Sequence, residues 1–338
     1  MKSTLKAITH ELLSTRYAEA YSSFKNETEE LTPNEILAMC DVIYSLYLSD
    51  NFDKVNSAMS DSTVRLYRSV CLYGEKENSL HQTLLSPHLS AYLLGSLRLL
   101  QTKYSLSLPA KQWILNEKLS NNLIPKYPLK YKLHPWRVSH WLGGVLSIVY
   151  NLNLIHDEDI DKQNLFQRMI DSYEHNIINK NGLIDLGAAA PIQSLFDVLY
   201  KIRHNPEHGK IGGIVHITWI YHAIDRKYKG LDRLISYAEK LILEADGFME
   251  DVPYCLDFDF LQLLRTGYSQ LGISSSKDEL FLDWRRRLEI YMSTEAESDS
   301  RFSLHKLPGA LASIRECELH LSKSDNGMHD IIKAAGWL

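Results

Sequence analysis

Strand signals are almost missing from this chain. Alternating Val/Ile/Thr runs bounded by turn dipeptides are few, and no Asn-Gly step has such runs on both sides. That leaves little basis for a sheet. Cysteine is scarce too: there are four, Cys40, Cys71, Cys255 and Cys317, without CxxC or Cys/His ligand spacing. A disulfide frame and a zinc site are therefore not expected, and the thiols read as reduced core residues of a cytoplasmic protein. No apolar run approaches the ~20 residues that span a bilayer, so no membrane span is expected. The start, MKSTLKAITHELL, carries charges where a secretory leader needs an unbroken apolar stretch. Catalytic and nucleotide signatures are equally sparse. GxSxG, GxGxxG, the P-loop pattern and HExxH are absent, which removes the usual hydrolase elbow, dinucleotide, nucleotide and zincin readings. A net charge of −5 supplies no basic field for nucleic acid. The short basic clusters Lys126–Lys132 and Arg285–Arg287 read as solvated outer faces. Neither a cofactor nor a metal is expected, and Asp157-Glu158-Asp159 lacks the glycine turn and distal Glu of a calcium loop.

What remains is helical periodicity. Six apolar runs open near Asn34, His88, His140, Gly212, Asp257 and Pro308. Between them lie more charged, amphipathic stretches such as Asp161–Ile178 and Asp232–Asp246, as outer helices should be. A helix–turn–helix unit recurring at about fifty residues is the mark of a solenoid or a closed helical ring. The 338 residues exceed the usual length of one domain, yet no Pro/Gly/Ser-rich spacer divides them. The expectation is an all-α single domain over residues 1–338, with an N-terminal outer helix near Leu5–Lys25. An insertion at about 180–209, from Asn181 to Gly209, is expected to fold over the ring's mouth as a lid. Gly143-Gly144 and Gly212-Gly213 each lie inside an apolar run and admit two readings, close helix packing or close ligand approach.

The segments SPHLSAYLLGSLRLL, HPWRVSHWLGG, NGLIDLG, KIGGIVHITWIYHAI, DGFMEDVPYCLDFDFLQLL and LPGALASIRECEL resemble the (α/α)6 toroids. That superfamily holds six-hairpin glycosidases, polysaccharide lyases, sugar epimerases, and terpenoid-cyclase and prenyltransferase rings. The resemblance covers most of the chain as repeat spacing and no single catalytic motif. Phe260 stands where the DxDD motif of protonating cyclases has its last Asp, and prenyltransferase-type zinc ligands are not apparent. The resemblance thus implies an (α/α)6 barrel of six hairpins and a glycoside hydrolase or polysaccharide lyase acting on an oligo- or polysaccharide. An isoprenoid-handling or non-catalytic toroid is the alternative, and the oligomeric state is left open.

In such a ring, polar residues at the starts of inner helices converge on one mouth. Asp257 and Asp259 are candidates for the acid/base carboxylates of glycosidic chemistry. Two apart on a helix, they point roughly 200° apart, and Asp257 reads equally as a helix cap. His134, Trp136, Arg137 and His140 form the densest polar–aromatic group at a helix start. Trp136 would stack on a sugar, Arg137 would grip an anionic group, and His140 would move protons. The other reading packs Trp136 and His140 in the core. His88, His216 and Tyr254 complete the substrate-binding set. Tyr221 and His222 read as core, and Lys210, His305 and Lys306 as loop residues that suit an anionic glycan.

Overall fold

A helix apolar on every side has to be surrounded by others, and that requirement organises this protein. The computed structural model describes residues 2–22, 32–73, 87–106, 135–155, 160–185, 205–273, 276–322 and 330–338. Among them all regular structure is helical apart from one isolated bridge, Ile178 to Ile184. The helices are α1 Lys2–Ser14, α2 Ala18–Ser22, α3 Pro33–Leu48, α4 Ser57–Tyr73, α5 Pro87–Gln101, α6 Pro135–Ile155 and α7 Ile160–Asn176. They continue as α8 Pro206–Ala223, α9 Leu231–Leu243, α10 Cys255–Leu271, α11 Asp278–Thr294, α12 Lys306–Ser322 and α13 Ile331–Ala335. No helix among the described residues is long and apolar enough to cross a membrane.

The apolar helices pack in chain order. α3 lies against α5, α5 against α6, α6 against α8, α8 against α10, α10 against α12, and α12 returns to α3. In α10 every residue from Leu256 to Leu264 is buried. By contrast α9 buries Leu231, Leu234, Ile235, Ala238, Leu241 and Ile242, a single stripe at helical spacing. It rests on α10 and α8, while α4, α7 and α11 rest on α5, α6 and α12. Each fully buried aliphatic side chain contributes roughly 1.5–3 kcal/mol, so the apolar series forms the core and the amphipathic helices cover it.

Several boundaries follow from caps. Thr32 accepts from the Glu35 N–H while Glu35 accepts from the Thr32 N–H, and Pro33 opens α3. Asn205 caps α8 ahead of Pro206. α8 therefore starts at Pro206, and α6 starts at Pro135, so His140 and Gly212 lie inside their helices rather than at the openings. The expected N-terminal helix is two pieces, α1 and α2, broken by a turn at Thr15–Tyr17. Part of the expected insertion is described. Asn181–Asp185 packs against the turn that follows α8: the Tyr228 hydroxyl donates to the Gly182 carbonyl, and Arg233 donates to that of Lys180. The rest of the expected insertion, residues 186–204, lies outside the described residues. The basic cluster Lys126–Lys132, Asp157-Glu158-Asp159 and His134 also lie outside the described residues.

The short helix α13 touches both α5 and α8, which do not pack on each other in chain order. Asp330 caps it and pairs with His222 of α8 and Arg265 of α10, both at 2.6 Å. Trp337 then reaches the interior, with its carbonyl accepting from the Tyr44 hydroxyl of α3 at 2.9 Å. The segment Asp330–Leu338 thus runs between helices on opposite sides of the series.

Candidate functional site

Gly143 and Gly144 bring three helices together. A Cβ on Gly144 would fall 2.7 Å from the carbonyl carbon of Pro87, and one on Gly143 would fall 2.5 Å from the His216 Cβ. Only bare backbone fits at both places, so α6 sits directly on α5 and α8. Three imidazoles meet as a result. His88 and His140 stack with centroids 4.3 Å apart and planes at 17°, and His140 meets His216 edge-on at 5.1 Å. His216 Nδ1 lies 3.1 Å from the Gly212 carbonyl oxygen, which assigns the ring proton to that nitrogen. Burial, with His88 beside it, pushes His216 down to about 3. Burial and the neighbouring His140 and His305 hold His88 well below the usual imidazole range. Both rings are neutral near pH 7. Among the described residues no group of three or more His, Cys, Asp or Glu could hold a metal ion.

Beneath this stack lie two indoles. Trp337 is stacked on His216 at 4.8 Å with planes at 28°, edge-on to His88 at 5.6 Å, and it meets Trp219 at 5.5 Å. Both tryptophans are fully buried. Trp337 Nε1, Trp219 Nε1 and His88 Nδ1 are buried without a hydrogen-bond partner among the described residues. Each such atom costs about 1–3 kcal/mol.

A second group lies next to the stack. Asp41 of α3, 2% exposed, accepts through Oδ1 from the Tyr92 hydroxyl at 2.8 Å and lies 3.0 Å from His305 Nδ1. The His305 ring is one-third exposed. Burial pulls the His305 pKa down, but the charge and hydrogen bond of Asp41 outweigh it, and the net shift is upward. His305 meets Tyr254 at 5.6 Å and Tyr92 at 6.4 Å, and Lys306 Nζ stands 5.6 Å from the Tyr254 ring centroid. Tyr92 in turn lies parallel to His88 at 6.4 Å. His140, His88, Tyr92, His305 and Tyr254 therefore form a continuous arc of rings spanning α6, α5 and the starts of α12 and α10.

The two aspartates of α10 have different surroundings, as their angular separation requires. Asp257 accepts the N–H of Met249 through one oxygen and that of Tyr254 through the other, both at 2.9 Å. It works as the cap of α10 from inside the first turn, with Tyr254 ahead of the helix. Burial outweighs those two bonds and pushes its pKa up to about 7. Asp259 is 1% exposed, and neither oxygen has a hydrogen-bond partner among the described residues. Burial, then the charges of Asp257 and Glu250, push its pKa well above the carboxylate range. Its surroundings thus favour the protonated form.

Of the residues expected from sequence, His88, His140 and His216 come together, and Tyr254 joins the same arc. The Asp257 carboxylate turns back to the loop before its helix. The side chains of Trp136 and Arg137 lie outside the described residues. Sequence reasoning missed Asp41, Tyr92, Trp219 and Trp337; it placed His305 in the loop before α12, where the structure has it, without its contact to Asp41. Asp41 had a signal, being the lone charge within the apolar run Met39–Leu48. Tyr92 stands four residues after His88, on the same helix face. Trp337 had none. In comparison with known proteins, the chain matches no family model, no curated protein and no solved structure.

Proposed function

We propose that the chain is an (α/α)6 toroid and that its mouth carries a carbohydrate-active site working by proton transfer from His305. The chain-order packing of α3, α5, α6, α8, α10 and α12, returning to α3, supports the ring. The observation that carries the chemistry is the hydrogen bond between His305 and buried Asp41. A carboxylate behind one imidazole nitrogen fixes the tautomer and stabilises the imidazolium, leaving Nε2 to trade a proton with a ligand. Tyr254 beside it offers a ring face for a sugar, and Lys306 a cation for an anionic group. Asp257 is held by backbone amides and Asp259 is buried, so this reading favours elimination over hydrolysis by two carboxylates. In that role neutral His305 takes the C–H proton beside the uronate carboxylate through Nε2. A C=C bond forms as the C–O bond to the leaving oxygen breaks, and the same nitrogen returns the proton to that oxygen. The isoprenoid alternative asks for a deep apolar cavity, and Trp337 fills the space between α5 and α8 where it would lie.

The experiment is a screen of the purified protein against uronic-acid and neutral oligosaccharides with product mass as readout. A product lighter by one water than hydrolysis gives is expected. His305→Gln should lower turnover by about 100-fold or more. Turnover that survives His305→Gln in full removes His305 from the chemistry, and the absence of turnover across the panel removes the sugar reading.

A further inference from the structure

Tyr92 is buried on α5, and its hydroxyl has an acceptor unlike those of the other tyrosines. Tyr44, Tyr173 and Tyr228 are also buried, and each donates to a backbone carbonyl. Tyr221, Tyr237 and Tyr291 donate to carboxylates, but those carboxylates pair with Arg226, Lys210 and Arg301. The Tyr92 hydroxyl donates at 2.8 Å to Asp41 Oδ1, the same oxygen that lies 3.0 Å from His305 Nδ1. A buried phenol and an imidazole, the side chain that titrates near neutral pH, thus share one acceptor atom.

Sharing has two consequences. The first is geometric. Tyr92 is packed against Tyr44 at 4.5 Å and lies parallel to His88 at 6.4 Å, so its hydroxyl holds Oδ1 on the side that faces His305. The second is electrostatic. The O–H points its positive end at Oδ1, which answers part of the charge that draws a proton onto the imidazole. The groups around the ring do not blur this effect. Burial first holds Tyr92 and Tyr254 well above the usual phenol range, and His88 well below the usual imidazole range. None of these three titrates alongside His305. The charges of Lys306, next in sequence, and of Glu250, which acts on Tyr254, are common to every variant below.

We propose that Tyr92 is the positioning residue of His305: its hydroxyl fixes Asp41 Oδ1 toward the ring and, by sharing that oxygen, limits how tightly the ring holds its proton. Asp41 draws the proton in and Tyr92 tempers the pull. A role in turnover rests on the chemistry proposed for His305; the tuning itself does not.

NMR titration of the His305 ring in the intact chain tests the tuning without substrate, with His305→Gln assigning the resonance. Tyr92→Phe keeps the ring and removes the donor, so the His305 midpoint is expected to rise by roughly 0.5–1 unit. In an Asp41→Asn background the same substitution should move it by less than about 0.3 unit, because the charge on the shared oxygen is gone. In the parent, the Tyr92 Cζ resonance should shift with the His305 midpoint, a measurement that needs no variant. With uronic-acid oligosaccharides as probe, the acid limb of kcat/KM should move up in Tyr92→Phe together with the ring, since the neutral imidazole starts the reaction. A His305 midpoint that stays or falls in Tyr92→Phe, or rises equally in the Asp41→Asn background, overturns the proposal. So does a Tyr92 resonance blind to the His305 titration. If the midpoint moves as expected and no probe is turned over, the tuning stands and the sugar chemistry fails.

Discussion

Asp41 and Asp257 both lie out of solvent, but the atoms facing them differ, and so do the consequences of removing their charge. Asp41 faces two side chains, Tyr92 of α5 and His305 of the turn before α12. Replacing it by Asn keeps the shape and removes the anion that lifts His305. The His305 pKa is then expected to fall, because burial alone remains to act on it. An NMR titration of the His305 ring in Asp41→Asn measures this, and an unchanged midpoint would show that Asp41 does not set it. Asp257 faces two backbone N–H groups instead. Asp257→Asn can keep only one of those acceptor positions, and a loss of about 1–2 kcal/mol in urea unfolding is expected. Asp259→Asn gives up no hydrogen bond recorded in the structure and removes a group that resists ionisation. It should be close to neutral at pH 3.5 and increasingly stabilising as the pH rises to 8. A loss comparable to that of Asp257→Asn at both pH values would mean that Asp259 has a partner after all.

At the scale of elements, the glycine pair in α6 decides how closely three helices approach. Gly143→Ala and Gly144→Ala each place a methyl less than 3 Å from atoms of α8 or α5, mostly backbone or Cβ, which cannot rotate away. The helix must shift, and each substitution is expected to cost about 1–3 kcal/mol despite alanine's better helix propensity. Thermal unfolding checks it; a rise in stability would show that the helices separate without loss. Of the two readings the sequence left for this pair, close packing is the one the geometry supports. Helical periodicity was likewise legible, because a buried helix and an amphipathic one differ in composition at every turn. The openings of α6 and α8 were less so. Glu207, His208, Gly209 and Lys210 interrupt the apolar pattern of α8, while Asn205-Pro206 ahead of them is a cap with proline at the first helical position. That signal was available and outweighed by the pattern. The arc of rings was half legible: polar residues near helix openings pointed to His88, His140 and Tyr254. Asp41 lies in the middle of a helix, and the docking of Trp337 depends on contacts far away in sequence. No local pattern carries such contacts.

For the molecule as a whole, the buried titratable groups predict a dome in stability against pH, and the sign follows group by group. Asp257, pushed up to about 7, and Asp259 and Glu316, also raised, keep protons in the folded chain that the unfolded chain releases above about pH 4.5. They lower stability as pH rises. His88 and His216 act oppositely: they stay neutral when folded, whereas the unfolded chain protonates them below about pH 6.5. Their stabilising share is complete above that value and lost as pH falls. Between about pH 4.5 and 6.5 the two sets oppose each other, and a plateau is expected. Above it the histidines no longer contribute a slope, and the acids, joined by His305 with its raised pKa, make stability fall. Below it the buried histidines, and Asp330 held far below the carboxylate range by Arg265 and His222 despite its burial, make stability fall again. Calorimetric melting temperatures from pH 3.5 to 8.5 should therefore peak between pH 4.5 and 6.5. Asp259→Asn should flatten the alkaline side alone, since the acid side depends on groups that it does not touch. A parent protein whose melting temperature keeps rising from pH 6.5 to 8.5 would show that the α10 aspartates ionise freely in the fold. Their burial would then not be what sets the balance.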